Sequence, residues 1–207
     1  DRLEPALARN RDIVGGTYTQ DDESGDARRF TQALAAICAD RYGVHFRYCH
    51  SVADLLPGSG KLDEVRVVDA GGQNIQIPAR AFVLCLGSFS PLLAQRLGIF
   101  LNIYPAKGYS ISVPLTSANE TYAPRVSLTD DENKLVFSNL ESHLRVAGTA
   151  ELAGWNTALS YHRVRPIVEK SAALFPEVFA AMEWRDERFV MEHLNPWTGL
   201  RPTTPSN

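Results

Sequence analysis

The sequence lacks any apolar run close to the ~18 residues that a membrane-crossing helix needs. The longest such stretch, 79–86, is interrupted by Arg80 and fits a buried strand. It lacks a basic block as well. Lys and Arg number 21 against 24 Asp and Glu, a net charge of −3, so nothing points to a nucleic-acid partner. Cysteine is scarce: Cys38, Cys49 and Cys85 are odd in number, widely spaced and each set in an apolar stretch. They read as small buried hydrophobes in a reducing compartment. The five His lie far apart, which argues against a Cys/His metal cluster; no metal site is expected. There is no signal peptide and no initial Met, so the expectation is a chain that begins inside a larger gene product or has been trimmed. Internal repeats and low-complexity tracts are absent too.

What is present suits one large domain or two small ones. The 207 residues are 44% hydrophobic and 22% charged, ordinary for a globular protein with a real core. Residues 1–20 are irregular, with a strand-like run at 13–19 broken by Gly15 and Gly16. After the acidic stretch 21–26 the pattern turns helical over 27–42, with Phe30, Leu34 and Ile37 on one face and Gly43 as the stop. Residues 44–48 alternate like a strand. Runs at 52–56, 65–68 and 75–77, separated by 57–60 and Gly71-Gly72, predict a small antiparallel meander. The continuous apolar run 81–86, ending in Gly87-Ser88, reads as a strand buried on both faces. Its end would lie at the carboxyl edge of a parallel sheet, where open α/β folds bind ligands. Beyond about residue 97, strands are predicted at 109–113, 134–138, 144–147 (closed by Gly148) and 187–191. A helix is predicted at 163–175 with Pro166 in its first turn. The end, from Asn195 on, is rich in turn residues and closes no element.

Five stretches in order carry a resemblance: Gly15-Gly16-Thr17-Tyr18 with the acidic run and Phe30-Thr31; 82–90; Tyr104-Pro105-Ala106-Lys107-Gly108-Tyr109-Ser110; Arg145-Val146-Ala147-Gly148-Thr149-Ala150-Glu151; and 197–205. Together they resemble the FAD-dependent D-amino acid dehydrogenases (small-subunit type), in the wider family of glycine oxidase, sarcosine oxidase and D-amino acid oxidase. The resemblance departs from the family in two places. The strand–GxGxxG–helix that holds a dinucleotide pyrophosphate on backbone amides is absent, as is the glycine-rich segment that closes over the flavin. The expectation is therefore the middle of such an enzyme, binding FAD weakly or not at all and inactive alone. The fold class implied is α+β or α/β: part of a Rossmann-like flavin domain plus a mixed-sheet substrate domain with covering helices. Expected boundaries are 1–24 (connection), 25–93 (flavin domain), 94–200 (substrate domain) and 201–207 (return to the flavin domain).

The resemblance also nominates residues. Arg201, in Gly-Leu-Arg-Pro, would clamp a substrate carboxylate with its planar, always-charged fork; the alternative is a structural Arg. Gly87 and Ser88 would let backbone approach FAD, or form a plain turn. Val52 would meet the adenine, or be an ordinary core valine. Tyr109 would line the substrate pocket, or pack in the sheet. Lys107 would likewise line the substrate pocket, or, as the default for a lysine, be exposed. Gly148 and Thr149 could face the flavin, though a turn reads more naturally. Trp155 and Trp197 offer a side-chain pocket, or core. Glu151 has no assignable chemistry, and His162 and His193 read as structural. No catalytic residue is nominated, because hydride transfer to a flavin needs positioning rather than a strong protein base. The implied activity is oxidative deamination of D-amino acids to 2-oxo acids and ammonia, with electrons passed to a respiratory acceptor. A cytoplasmic enzyme is implied, with peripheral attachment to the inner membrane as the alternative. Unpaired strand edges would favour self-association. The rivals are a glycine or sarcosine oxidase-like enzyme and a non-catalytic binding module.

Overall fold

The computed structural model describes residues 3–8, 10 and 12–205. Residues 1, 2, 9, 11, 206 and 207, which the expected 1–24 and 201–207 segments include, lie outside the described residues. The chain divides into two compact units. One contains Arg28–Pro105 and the residues from 201 on; the other contains the residues up to 27 with Ala106–Leu200.

The first unit opens with helix α1 (Ala27–Tyr42), which Gly43 ends in a left-handed conformation (φ 65), its N–H reaching the Ala39 carbonyl at 3.2 Å. Three strands follow, β1 (Ser51–Pro57), β2 (Leu62–Val68) and β3 (Asn74–Pro78), in an antiparallel meander. A short turn of helix at Gly87–Phe89 leads into α2 (Ser90–Ala94). The apolar face of α1 is in water: Phe30 is 68% and Ile37 44% exposed, and the helix has no buried residue.

Strands β4 (Tyr104–Pro114), β5 (Leu128–Asp130), β6 (Leu135–Asn139), β7 (His143–Glu151) and, after the helices, β8 (Trp197–Thr203) form a sheet in the order β5-β6-β7-β4-β8, of which the residues within 106–200 belong to the second unit. Helices α3 (Tyr161–Leu174), α4 (Pro176–Phe179) and α5 (Glu187–His193) cover one face. Alternation along the strands points Tyr109, Ile111 and Val113 of β4, Leu135 and Phe137 of β6, and Leu144 and Val146 of β7 into one core with Val164, Ile167, Phe175 and Val190. Glu4 fastens the start of the chain to this unit, accepting from the Arg125 and Val126 amides at 2.6 and 3.0 Å.

Several expectations are corrected. Residues 13–19 and 44–48 form no strand. The alternation at 44–48 reflects stacking of Phe46 on Tyr48, 5.7 Å between centroids, since i and i+2 share a face without any partner strand. The run 81–86 is neither paired nor buried, with Val83 85% exposed, because no strand among the described residues lies beside it. Residues 187–191 are helical: Asp186 caps the Phe189 amide at 2.8 Å and Arg188 pairs with Glu192 one turn on. The helix α3 begins at Tyr161, so Pro166 sits inside it rather than in its first turn. Gly148 does not close β7, which continues to Glu151, and the turn-rich end contains β8. Cys49 and Cys85 are exposed and Cys38 half-buried.

Candidate functional site

In the first unit, three of the nominated positions are linked. Gly87 takes a left-handed φ of 51, and a side-chain carbon there would meet Pro202 Cγ at 3.8 Å, ordinary van der Waals distance. The Gly-Ser turn therefore lies beside the strand end that carries Arg201. Ser88 is 3% exposed, while Arg201 is exposed. Gly87 presents only a hydrogen toward Pro202, so the turn and the strand end pack there without an intervening side chain. Val52 sits at a bulge in β1, opposite Val67, and is 41% exposed rather than core. The bulge is held by Arg96, just past α2, whose guanidinium donates to the Ala53 carbonyl; Asp54 pairs with Arg66 at 2.7 Å.

In the second unit a buried ionic network surrounds Tyr109. Lys107 is 2% exposed, against the expectation of an exposed lysine, because alternation from Tyr109, Ile111 and Val113 carries it onto the core face. Its Nζ donates to the Ala158 carbonyl at 2.5 Å, lies 3.2 Å from Glu151 Oε1 and 5.1 Å from the Tyr109 ring centre. The Tyr109 hydroxyl donates to the same Glu151 oxygen at 2.7 Å, and Arg163 Nε in the first turn of α3 donates to the other at 3.0 Å. Tyr109, at 2% exposure, has its ring in the core and its hydroxyl committed.

The register explains how Glu151 arrives. Tyr109 pairs with Gly148 but Gly108 pairs with Ala150, leaving Thr149 as an extra residue. Thr149 has φ 50, the left-handed conformation of a bulge residue, strained for a β-branched side chain. Without it Ala150 would stand opposite Lys107; with it Glu151 does. The bulge also buries Thr149 Oγ1, which has no hydrogen-bond partner among the described residues.

The charges reinforce one another. The Tyr109 hydroxyl first, and then the Glu151 carboxylate, hold the Lys107 ammonium above its usual value against burial, which acts the other way. Burial pushes the Tyr109 hydroxyl up. The Tyr109 hydroxyl and the Lys107 ammonium hold the Glu151 carboxyl below the usual carboxylate range. Across neutral pH the cluster is thus an ammonium, a neutral phenol and a carboxylate. Such an arrangement fixes geometry and offers no free base.

Sequence reasoning missed Lys107 and Glu151. Strand alternation from Tyr109 could have found the first; the second depends on the bulge. The other aromatic candidates, Trp155 at 41% and Trp197 at 57% exposure, are both half in water. His193 stacks on Phe189, its ring centre 4.5 Å away. No group of acidic, His and Cys side chains suited to a metal is found among the described residues.

The family model described as FAD dependent oxidoreductase matches residues 1–207. The chain is 44% identical over 206 residues to a D-amino acid dehydrogenase of Dechloromonas aromatica (strain RCB), covering 99% of this chain and 46% of that protein. A D-amino acid dehydrogenase of Paramagnetospirillum magneticum (strain ATCC 700264 / AMB-1) is 43% identical, with 99% and 44% covered. The chain thus spans a little under half the length of these relatives. Among solved structures, glycine oxidase from Geobacillus kaustophilus superposes with a TM-score of 0.62 at 21% identity, covering 84% of this chain and 42% of that one. L-proline dehydrogenase from P. horikoshii gives 0.64 at 14% identity, covering 84% and 43%. At those identities the likeness is one of fold.

Proposed function

Because the chain belongs to the FAD dependent oxidoreductase family, we propose that it is part of a flavoenzyme that oxidatively deaminates D-amino acids to 2-oxo acids and ammonia. The observation that carries this reading is the 44% identity, over 99% of the chain, to a protein named D-amino acid dehydrogenase.

The residues present fit the margin of a flavin site. Gly87 offers a left-handed backbone with no side chain, beside Pro202, and Val52 stands half-exposed at a braced bulge. The glycine-rich pyrophosphate fingerprint is not in this sequence, so Val52, Gly87 and Ser88 would support the cofactor rather than hold it alone. When bound, FAD would supply the two-electron acceptor for the substrate Cα–H.

The chain's own task is to bind and orient. Arg201, exposed in β8 with its neighbour Pro202 against Gly87, would grip the substrate carboxylate in a bidentate pair. Tyr109 would act indirectly, its hydroxyl fixing Glu151 rather than touching substrate. Loss of hydride from Cα and of a proton from nitrogen leaves an imino acid, and water converts it to the 2-oxo acid and ammonia. The absence of an unpaired base in the Lys107–Glu151 network agrees with hydride transfer.

Electrons would pass to a respiratory acceptor. No helix among the described residues is long and apolar enough to cross a membrane; we place the enzyme in the cytoplasm, with any membrane attachment peripheral. Self-association through the exposed face of α1 belongs to the same reading.

The test is Arg201→Lys in the full-length enzyme. Replacing a bidentate fork by a point charge should raise KM for D-amino acids roughly 10- to 100-fold, the worth of one charge-assisted hydrogen bond. Bound flavin should be unchanged. Wild-type kinetics in this variant would remove the carboxylate role. Oxygen consumption with glycine or sarcosine in place of D-amino acids would instead assign an oxidase of other specificity.

A further inference from the structure

The bulge near the start of β1 is held by a side chain from outside its sheet. Val52 pairs with Val67 and Asp54 with Arg66, so Ala53 is an extra residue in the ladder. β1 is an outer strand of the three, and Val52 beside the bulge is 41% exposed. The extra residue brings Asp54 opposite Arg66, and the two pair at 2.7 Å through Asp54 Oδ2. Asp54 Oδ1 accepts from the Leu55 amide at 3.0 Å and lies 3.8 Å from Arg96 Nη1. That same Arg96 nitrogen donates to the Ala53 carbonyl.

Arg96 reaches the bulge from an anchored backbone. It lies in a helical turn, Gln95–Leu97, that continues α2 and that Gly98 ends in a left-handed conformation (φ 74). Leu93 and Ala94, just before it, are buried. The helical run begins at Gly87–Phe89, so Gly87 and Ser88 stand at one end of it and Arg96 near the other. The bond to Ala53 thus joins, within one unit, the strand that carries Val52 and the helical run that starts with Gly87 and Ser88. Stability does not account for the arrangement. Arg96 and Asp54 are 51% and 35% exposed, and ion pairs in such surroundings contribute little. What the guanidinium supplies beyond that is a fixed position for the bulge.

We propose that Arg96 is a positioning residue of the cofactor site: it holds the Val52–Ala53 backbone in the conformation that receives the adenine end of FAD. This rests on the flavoenzyme reading given above, in which Val52 supports the cofactor. Arg96 acts through the Ala53 carbonyl and not by touching FAD. Backbone fixed before a ligand arrives spares the cost of ordering it on binding. Asp54 orients Arg96 and is itself held by Arg66, whose guanidinium bonds the Asp54 carboxylate.

The experiment titrates full-length apoenzyme with FAD and with FMN, which lacks the adenylate, and reads the flavin fluorescence. Arg96→Met should raise the Kd for FAD about tenfold, the net worth of one hydrogen bond, and leave that for FMN within about twofold. Arg96→Gln, too short to reach the carbonyl, should behave alike and carries the test if Arg96→Met fails to fold. Arg66→Met is the structural control, since it removes the closer ion pair to Asp54 and leaves the Arg96–Ala53 bond in place. It should lower the urea midpoint at least as much as Arg96→Met does, while keeping FAD affinity within about twofold. FAD affinity unchanged in both Arg96 variants, an equal loss for FAD and FMN, or an equal loss in Arg66→Met overturns the role of Arg96 and leaves the flavoenzyme reading standing. A wild-type apoenzyme that takes up no FAD overturns that reading and this proposal with it.

Discussion

Gly148 offers the sharpest test of the packing. It lies in β7 opposite Tyr109 of β4 and Leu135 of β6, on the face that meets α3. A side-chain carbon there would stand 2.3 Å from Leu135 Cδ2, 3.6 Å from Ile167 Cγ1 and 3.4 Å from the Lys134 carbonyl. Leu135 is 1% and Ile167 0% exposed, so neither has space to retreat. Overpacking of this kind costs about 1–3 kcal/mol, and the entropy an alanine removes from the unfolded chain returns about 0.4–1 kcal/mol. Gly148→Ala should therefore destabilise by about 1–2 kcal/mol, lowering Tm by about 2–8 °C at this chain length. The control is Gly199→Ala. Its nominal clash is closer, 2.0 Å from Trp197 Cη2, but Trp197 is 57% exposed and its ring can swing into water. That variant should stay within about 0.5 kcal/mol of wild type. Urea midpoints and calorimetry on both proteins measure the difference. A neutral Gly148→Ala, or a Gly199→Ala that costs as much, would refute the argument that room to move, rather than the initial distance, decides the outcome.

The ionic network sets a pH dependence. Glu151 is depressed below its ordinary 4.5, so its contribution is present above that value and is lost as pH falls through the lower, folded one. Lys107 is raised above 10.5, so its contribution is full below that value and is lost as pH rises through the folded one. Stability should hold across neutral pH, and Glu151→Gln should fall less steeply than wild type below about pH 4.5; parallel acid limbs would contradict the assignment. Separately, the exposed face of α1, with Phe30 and Ile37, should make this chain associate as concentration rises in sedimentation velocity, and Ile37→Lys should weaken that association. Equal sedimentation of the two proteins would clear α1 of the role.

What the sequence disclosed was local. The helix α1 was legible to its ends because apolar spacing and Gly43 agree, and the meander because its turns sit between short β-branched runs. The stretch 81–86 shows the limit of that reasoning: an apolar run says that something should bury it, not what does. At 187–191 the apolar positions fit either period, and the decisive signals were the Asp186 cap and the Arg188–Glu192 pair, both side-chain contacts. Lys107 was misjudged because residue type was weighted over strand alternation, which places it on the core face. Glu151 is different in kind. Alternation alone puts Ala150 opposite Lys107, and only the extra residue at Thr149 brings the carboxylate across. A β-branched residue at φ 50 costs about 1–3 kcal/mol and is not a pattern a sequence announces. The chemistry of the second unit thus turns on a one-residue slip in strand pairing, a property of two strands together and of neither alone.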